Sequence, residues 1–451
     1  MLRPPGLPWL ISLADRGRDI DPAALNRMIM AFAALSVIAV YFAFRTDHGR
    51  PMALAAAMLT GTSPLFVSRF NWIQSEFPFL ALLYLGLGCL ALSLRSGGRR
   101  IPWALAAGGA FAAAFYFRTT GILVAPLLLL LGLAAGRGGG RRSLWTAAAV
   151  TVLIALPWFV HTARVAPARE VPPDQLLLHD YKTAMFHTDP GDPRSPRISA
   201  EAWGRRIRSN GAALAVDLSE GLFGGGRWWA GMIAGIAALA GFVIRPRSVS
   251  RAAGAFGILY GAVLTTYFAY ATRLVTPLVP VLYLYGIVAL SWAGRRAADR
   301  FRIPRGGALL PAACVFLLLA VNVARLPGRL GTPQITVEGR EVRMDGMWEE
   351  TFATARWIRE RTPPGSTILC FSAPVYGTLT GRTAYTYRFP RGGDLLAKYD
   401  PDFVLFDIRT PASDDLEGRV ATAAKERWFV PSRIPGRSMT AYRLTDTKGT
   451  P

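Results

Sequence analysis

Long apolar runs, separated by short polar stretches, dominate the first 324 residues of the chain. Each run contains 16 to 22 residues, close to the length that an α-helix needs to cross about 30 Å of hydrocarbon. The two shortest form a pair that is expected to be tilted or only partly inserted. The pattern predicts ten membrane-spanning helices: Ala23–Phe44, Pro51–Phe70, Phe77–Leu94, Pro102–Phe117, Thr120–Ala135, Leu144–Ala163, Trp228–Ile244, Ala252–Ala271, Leu274–Ala293 and Ala308–Ala324.

Residues 1–22 have a different pattern. The apolar run Met1–Leu13 contains three prolines and is too short to cross a membrane. It also lacks a small-residue cleavage site, so a signal peptide is not predicted here. A short juxtamembrane helix on the membrane surface, anchored by Trp9, fits this segment better.

A long polar segment, residues 164–227, interrupts the predicted spans. Its first part, Val165–Arg197, is rich in proline and aspartate, which predicts an ordered segment without regular secondary structure. In Ser199–Leu222 the apolar residues follow helical spacing, with Ser199 as a candidate N-cap. This part predicts an amphipathic helix that lies on the outer leaflet.

Residues 325–451 have the composition of a soluble domain. An amphipathic helix is predicted at Met347–Arg361, ended by two prolines, and short apolar runs predict buried parallel strands. No phosphate-binding loop or nucleophile motif follows the strands, so we expect a docking or acceptor-shaping role. The remaining elements predicted here are strands at Thr367–Phe371, Ala384–Tyr387 and Phe403–Asp407, helical turns at Leu395–Tyr399 and a hairpin of Trp428–Ile434 with Met439–Leu444.

Composition and charge agree with an α-helical polytopic membrane protein of about ten transmembrane helices that carries a small C-terminal α/β domain. Hydrophobic residues make up 52% of the chain and charged residues 18%. The net charge of +22 comes from basic clusters between apolar runs rather than from one basic face, which argues against a nucleic-acid partner. The spacing of Cys89, Cys314 and Cys370 indicates neither a disulfide nor a zinc site.

Arginines in the short connections alternate in number along the chain. Five connections carry sixteen arginines, whereas the connections between them carry three, Arg69, Arg118 and Arg273. The positive-inside rule then places the sixteen on the cytoplasmic side. Residue 76, the segment 164–227 and the domain 325–451 are therefore expected outside.

Glu76 is the only acidic residue between two of the predicted spans. Because a carboxylate at the bilayer centre costs about 2.5 to 3.5 kcal/mol, an acid kept beside a span normally faces a watery cavity or a cation. The alternative is that Ser75 and Glu76 simply begin the next helix, where a negative charge is favoured.

Arg69, Arg118 and Arg273 each stand alone at an outer connection. A guanidinium offers paired donors that suit a phosphate, but each side chain could equally extend to outer lipid headgroups. His179 and His187 have aspartates nearby, and metal binding there rests only on an unspecific spacing.

Several stretches, in this order and with this sidedness, resemble the GT-C superfamily of polytopic glycosyltransferases, whose members include protein O-mannosyltransferases and the lipid A aminoarabinose transferase. The resemblance covers nearly the whole chain, although each motif is weak. The stretches include RPPGLP (3–8), TSPLFVSRFNWIQSEFPF (62–79), AFYFRTTGILVAPLLLLL (114–131), LPWFVHTARV (156–165), RISAEAWGRRIRSNGAALAVDL (197–218) and YATRLVTPLVPVLYLYG (270–286).

The resemblance implies transfer of a sugar from a polyprenyl-phosphate donor to a hydroxyl of a lipid, glycan or protein acceptor. It places the reaction at the outer face of the bacterial cytoplasmic membrane. Such transfer needs a carboxylate base and cationic groups, or a divalent cation such as Mg²⁺ or Mn²⁺, at the departing phosphate. Glu76 matches an acid of the family that orients the acceptor or a metal. The residues expected at the donor phosphate are Arg118, Arg273, Arg69, His161 and Arg164.

The chain departs from the family pattern at its start. In the family the catalytic base follows a first span and precedes a Pro-Pro pair, whereas here Pro4 and Pro5 come almost first and Asp15, Asp19 and Asp21 follow them. The first helix and the usual base are thus expected to be absent from this sequence. The alternatives to an active transferase are a non-catalytic remnant that binds lipid and a transporter of lipid-linked sugars, although a transporter would favour charge near the midplane.

Overall fold

A computed structural model of the chain describes two compact units. One unit comprises residues 1–170 and 198–331, and the other comprises 171–197 and 332–451, so part of the long polar segment goes with the C-terminal residues. The structure describes residues 5–15, 22–69, 74–95, 99–135, 138–165, 185–187, 196–244, 248–267, 272–302, 306–326, 334–337, 340–343, 346–370, 373–386, 396, 400–407, 414–430 and 439–444.

The described residues of the first unit form helices joined by short connections. Two of these helices are 3₁₀ helices, Thr119–Leu123 and Thr272–Leu278. The α-helices are α1 (Gly6–Asp15), α2 (Pro22–His48), α3 (Arg50–Thr62), α4 (Pro64–Val67), α5 (Glu76–Arg95), α6 (Arg100–Phe117), α7 (Val124–Ala134), α8 (Gly139–Val165), α9 (Ala200–Phe223), α10 (Trp228–Ile244), α11 (Ser248–Thr266), α12 (Val279–Phe301) and α13 (Gly306–Ala324).

Every predicted span coincides with one of these helices or with a pair of them, and the polytopic membrane class is confirmed. Within the described residues, four helices are long and apolar enough to cross a membrane, at 24–48, 76–95, 139–164 and 272–301. The consecutive helices α9 and α10, bent by 82° at a short break, would make a fifth if they formed one span. The helices at the other predicted spans do not meet the requirements of length and apolar content for crossing a membrane. The number of ten spans therefore stays a prediction.

Proline breaks one predicted span. The run Pro51–Phe70 is divided into α3 and α4 at Ser63, whose hydroxyl accepts a hydrogen bond from the Phe66 amide at 3.3 Å. Pro64 has no amide hydrogen and suits the first position of a helix but not its interior. The break turns the chain just before the segment that carries Glu76.

Aromatic side chains fill the core where α2, α5 and α6 meet. Phe44, Tyr84 and Phe111 are fully buried, and the rings of Phe44 and Tyr84 pack edge to face with centroids 5.6 Å apart. At the end of the bundle where α2 finishes, the buried Asp47 carboxylate accepts from the Ser250 amide at 2.9 Å and lies 3.7 Å from Arg95. This end carries the basic connections that the positive-inside count assigns to the cytoplasm.

Helix α9 confirms the amphipathic helix predicted at Ser199–Leu222. The Ser199 hydroxyl caps it by accepting from the Ala202 amide at 3.2 Å, and Gly224 ends it with a left-handed conformation at φ 72°. Beyond the 82° bend, α10 returns so close to α9 that Gly231 contacts the Ala215 carbonyl. Its predicted place on the outer leaflet stays a prediction.

The contact at Gly231 predicts a stability effect. A methyl group at this position meets the Ala215 carbonyl, so Gly231→Ala is expected to push α9 and α10 apart and to lower the free energy of unfolding by about 1 to 3 kcal/mol. Thermal unfolding of the detergent-purified protein measures this change. Gly235→Ala, on the same helix with open space around its added methyl, is the matched control and is expected to unfold like the unmodified protein.

The second unit contains a mixed five-stranded sheet, whose strands in spatial order are β4 (Thr383–Thr386), β3 (Thr367–Cys370), β5 (Phe403–Asp407), β7 (Met439–Leu444) and β6 (Ala424–Val430). The predicted parallel strands are observed, because β3 (Thr367–Cys370) pairs in parallel with both β4 (Thr383–Thr386) and β5 (Phe403–Asp407). The antiparallel pairing of the predicted closing hairpin is observed between β6 (Ala424–Val430) and β7 (Met439–Leu444), although β6 begins four residues before the predicted strand Trp428–Ile434. The predicted turns at Leu395–Tyr399 lie almost wholly outside the described residues. The described residues of the unit also form a hairpin of β1 (Gln334–Val337) and β2 (Arg340–Arg343) and the helices α14 (Gly346–Arg361), α15 (Ala373–Thr380) and α16 (Asp414–Ala423).

Candidate functional site

Glu76 is the first residue of α5 and is also buried, with 3% of its surface exposed. The helix begins here because the Phe79 amide donates to the Ser75 carbonyl at 3.0 Å, and Phe77 packs edge to face against Phe66 at 4.7 Å. Both sequence interpretations therefore apply to this residue. It begins a helix, and its carboxylate is held away from water, where it needs a partner.

Arg118 supplies that partner. It lies in extended conformation between the end of α6 and the 3₁₀ helix Thr119–Leu123, and its amide donates to the Ala114 carbonyl at 2.9 Å. Its Nη1 lies 2.8 Å from Glu76 Oε1, and its side chain is only 13% exposed. Arg118, one of the three lone arginines in the sequence, thus points its side chain into the protein and pairs with Glu76 on the neighbouring helix α5.

Arg273 approaches the same oxygen from the 3₁₀ helix Thr272–Leu278. Two buried tyrosines fix the backbone of this helix, because the Tyr84 hydroxyl donates to the Pro277 carbonyl at 3.2 Å and the Tyr260 hydroxyl donates to the Leu274 carbonyl at 2.9 Å. The Nε of Arg273 lies 3.6 Å from Glu76 Oε1, and the side chain is 51% exposed. It is the accessible cation of the group.

These three residues, named here the Glu76 cluster, combine one negative and two positive side chains. Glu76 Oε1 is shared by both guanidinium groups, whereas the buried Oε2 has no hydrogen-bond partner among the described residues. The cluster thus keeps a net positive charge and one unused acceptor. A site with these properties suits an anion beside a group that donates a hydrogen bond.

Gln74 and Thr120, each two residues along the chain from a member of the cluster, have further unused polar atoms. Gln74 is 6% exposed, and neither the nitrogen nor the oxygen of its carboxamide has a partner in the part of the chain that the structure describes. The same holds for the buried hydroxyl of Thr120, two residues after Arg118. A buried polar group left unpaired costs about 1 to 3 kcal/mol, so a water molecule or a polar group of a ligand bound to these atoms would be stabilised. Both residues were missed in the sequence, since only burial distinguishes them.

Helix α9 is fastened beside the cluster by side chains that sequence reasoning also missed. The Asn210 amide nitrogen donates to the Thr265 carbonyl at 3.0 Å and to the Tyr267 carbonyl at 2.7 Å, at the end of α11. The buried Asp217 carboxylate accepts from the Thr272 hydroxyl at 3.1 Å, next to Arg273 in the chain. The amphipathic helix therefore helps to position the segment that carries Arg273.

Arg69 lies in a pocket rather than in the cluster. The pocket has about 560 Å³ of open space between α4, α9 and the 3₁₀ helix Thr272–Leu278. Thr272 joins it to the neighbourhood of Arg273. The lining residues are Pro64, Leu65, Ser68, Arg69, Glu220, Gly221, Gly224 and Thr272.

The last two predicted donor residues do not join the cluster. His161 and Arg164 are exposed near the end of α8, and the His161 ring packs against Trp158 with centroids 5.3 Å apart. Among the described residues no hydrogen bond or ion pair links either side chain to Glu76. Both residues lie near the end of α8, and their role at the donor phosphate stays a prediction.

The described residues do not fit a divalent metal at Glu76. No group of three His, Cys, Asp or Glu side chains suited to a metal occurs in the part of the chain that the structure describes, and Glu76 itself faces two guanidinium groups. Two arginines favour an anion instead. Of the other acid and histidine candidates, Asp19, Asp21, His179 and the side chain of Asp15 lie outside the described residues. His187, in the second unit, pairs with Arg197 through an isolated antiparallel β-bridge.

Comparison with known proteins adds a family match over part of the chain and a fold. Residues 2–161 match the family described as dolichyl-phosphate-mannose-protein mannosyltransferase. No curated protein sequence matches the chain.

Three solved structures illustrate the structural likeness. ArnT from Cupriavidus metallidurans, bound to undecaprenyl phosphate, aligns with 97% of this chain and 87% of its own at a TM-score of 0.58 and 13% identity. The oligosaccharyltransferase of Archaeoglobus fulgidus, in complex with Zn and sulfate, aligns with 90% of this chain at a TM-score of 0.53 and 13% identity. The chain spans only 59% of that protein.

The third structure is the archaeal oligosaccharyltransferase AglB from Archaeoglobus fulgidus, in complex with an inhibitory peptide and a dolichol-phosphate. It aligns with 99% of this chain and 67% of its own at a TM-score of 0.53 and 12% identity. Identities this low establish the fold alone. The resemblance predicted from the sequence is confirmed, and the chain has the fold of the GT-C superfamily of polytopic membrane glycosyltransferases.

Proposed function

We propose that the protein transfers a sugar from a polyprenyl-phosphate-linked donor to an acceptor hydroxyl at the outer face of the cytoplasmic membrane. The observation that carries the proposal is the Glu76 cluster, in which Arg118 and Arg273 share one carboxylate oxygen and leave a net positive charge. The match to a mannosyltransferase family and the undecaprenyl phosphate of ArnT support the choice of donor.

Each residue of the cluster has a part in the proposed reaction. Arg273, half exposed, binds the lipid phosphate as the sugar leaves it, and buried Arg118 adds positive charge while it holds Glu76 in place. The unused Oε2 of Glu76 accepts a hydrogen bond from the acceptor hydroxyl and orients its oxygen toward the anomeric carbon. As this oxygen bonds to the anomeric carbon, the bond from that carbon to the phosphate oxygen breaks, and the departing lipid phosphate takes the electron pair and the proton of the hydroxyl. Arg69 and its pocket provide room for a further polar part of a substrate next to Arg273.

Reconstituted vesicles test the proposal. The purified full chain is incorporated into liposomes with undecaprenyl phosphate that carries a radiolabelled sugar, and extract from the native membrane is supplied as the source of acceptor. A transferase is expected to release undecaprenyl phosphate and to label an acceptor. Movement of the intact glycolipid between leaflets without cleavage would instead indicate a transporter, and the absence of both would indicate a non-catalytic protein.

A further inference from the structure

The hydrogen-bonding capacity of Gln74 is left unused by the Glu76 cluster. We propose that Gln74 and Thr120 bind hydroxyl groups of the donor sugar and that Gln74 determines which sugar is accepted. This inference rests on the proposed function and names the part of the substrate that these two residues contact.

The chemistry of the unused atoms selects a hydroxyl-bearing ligand. The Gln74 carboxamide has a donor nitrogen and an acceptor oxygen, both buried and both without a partner among the described residues. A phosphate only accepts hydrogen bonds and would leave the oxygen unpaired, whereas a metal cation would leave the nitrogen unpaired. A sugar hydroxyl both donates and accepts, and so it satisfies both atoms.

The position of the two residues places the sugar beside the phosphate. Gln74 lies two residues before Glu76, and Thr120 lies two residues after Arg118, whose guanidinium is 2.8 Å from the Glu76 carboxylate. In a polyprenyl-phosphate donor the anomeric carbon is bonded directly to a phosphate oxygen. A phosphate held at Arg118 and Arg273 therefore brings the sugar ring to the same end of α5 and α6.

Binding of lipids with and without a sugar tests this assignment. The full chain in lipid nanodiscs is titrated with undecaprenyl phosphate and with undecaprenyl phosphates that carry mannose, glucose, N-acetylglucosamine or arabinose. Gln74→Leu is expected to lower the affinity for the preferred glycolipid by about tenfold or more and to leave that for bare undecaprenyl phosphate nearly unchanged. Thr120→Val is expected to act in the same direction with a smaller effect.

Thr60→Val is the matched control for Thr120→Val. The buried Thr60 hydroxyl already donates to the Ala56 carbonyl of its own helix at 2.7 Å, so this variant is expected to leave both affinities unchanged. An equal loss for both lipids in Gln74→Leu would show a structural role and overturn the proposal. A wild-type protein without preference for any glycolipid, or a preference that survives Gln74→Leu, would also overturn it. Failure of the proposed function is a separate result, because it is read in the vesicle assay, where the wild type would then label no acceptor whatever its lipid affinities.

Discussion

Glu76→Gln is expected to lower sugar transfer by about a hundredfold or more and to destabilise the folded protein at the same time. The amide cannot neutralise Arg118, whose side chain is only 13% exposed, and a buried charge that loses its partner costs about 3 to 5 kcal/mol. The loss of transfer follows from the loss of the oxygen that orients the acceptor. Initial rates in the vesicle assay and thermal unfolding measure the two effects separately.

A double variant separates the two roles of Glu76. Glu76→Met with Arg118→Met replaces the buried ion pair by apolar side chains of similar length, a change that is often neutral or stabilising. The double variant is expected to regain most of the stability that Glu76→Gln loses, but none of the activity. If it unfolds as readily as the single variant, the ion pair is not the source of the destabilisation.

Arg273→Ala is expected to weaken binding of undecaprenyl phosphate by about tenfold to a hundredfold, since a charge-assisted hydrogen bond contributes about 1.5 to 3 kcal/mol. Its effect on stability is expected to be small, because Arg273 is 51% exposed and ion pairs of exposed side chains contribute about 0 to 1 kcal/mol. Titration of the nanodisc-embedded protein with the lipid, together with thermal unfolding, measures both quantities.

Two further variants sharpen the test of Arg273. Arg273→Lys keeps the charge but loses the planar pair of donors, so an intermediate affinity is expected. Arg205→Ala on α9 is the control, since Arg205 is an exposed arginine that pairs with Glu201 one turn away. Equal lipid affinity in Arg273→Ala and Arg205→Ala would contradict a phosphate-binding role for Arg273.

The hydrophobic pattern was sufficient to predict most of the fold. Apolar periodicity is a local property, and each predicted span, the capped helix at Ser199 and the strands at Thr367 and Phe403 coincide with observed elements. The break at Ser63 and Pro64 was not predicted, although proline carried the signal. Which helices cross the membrane completely depends on tilt and packing, which length and composition alone do not determine.

The candidate site was predicted residue by residue but not as a geometry. A lone acid and lone arginines at outer connections pointed to Glu76, Arg118 and Arg273, yet nothing in their spacing showed that both arginines meet one oxygen. That contact depends on how α5, α6 and the 3₁₀ helix Thr272–Leu278 pack together. His161 was predicted from a motif, and it is exposed on α8 with no hydrogen bond or ion pair to Glu76 among the described residues. Gln74 gave no signal at all, because its importance lies in burial without a partner.

The ion pair between Glu76 and Arg118 also bears on how the chain enters the bilayer during synthesis. The two residues flank a single helical hairpin, α5 followed by α6, in which Glu76 begins the first helix and Arg118 follows the second. Each charge would oppose insertion by about 2.5 to 3.5 kcal/mol if it met the hydrocarbon alone. Since the hairpin delivers both to the same end, acid and base neutralise each other before the later helix with Arg273 is made. The nascent hairpin thus already contains two of the three charged residues of the Glu76 cluster.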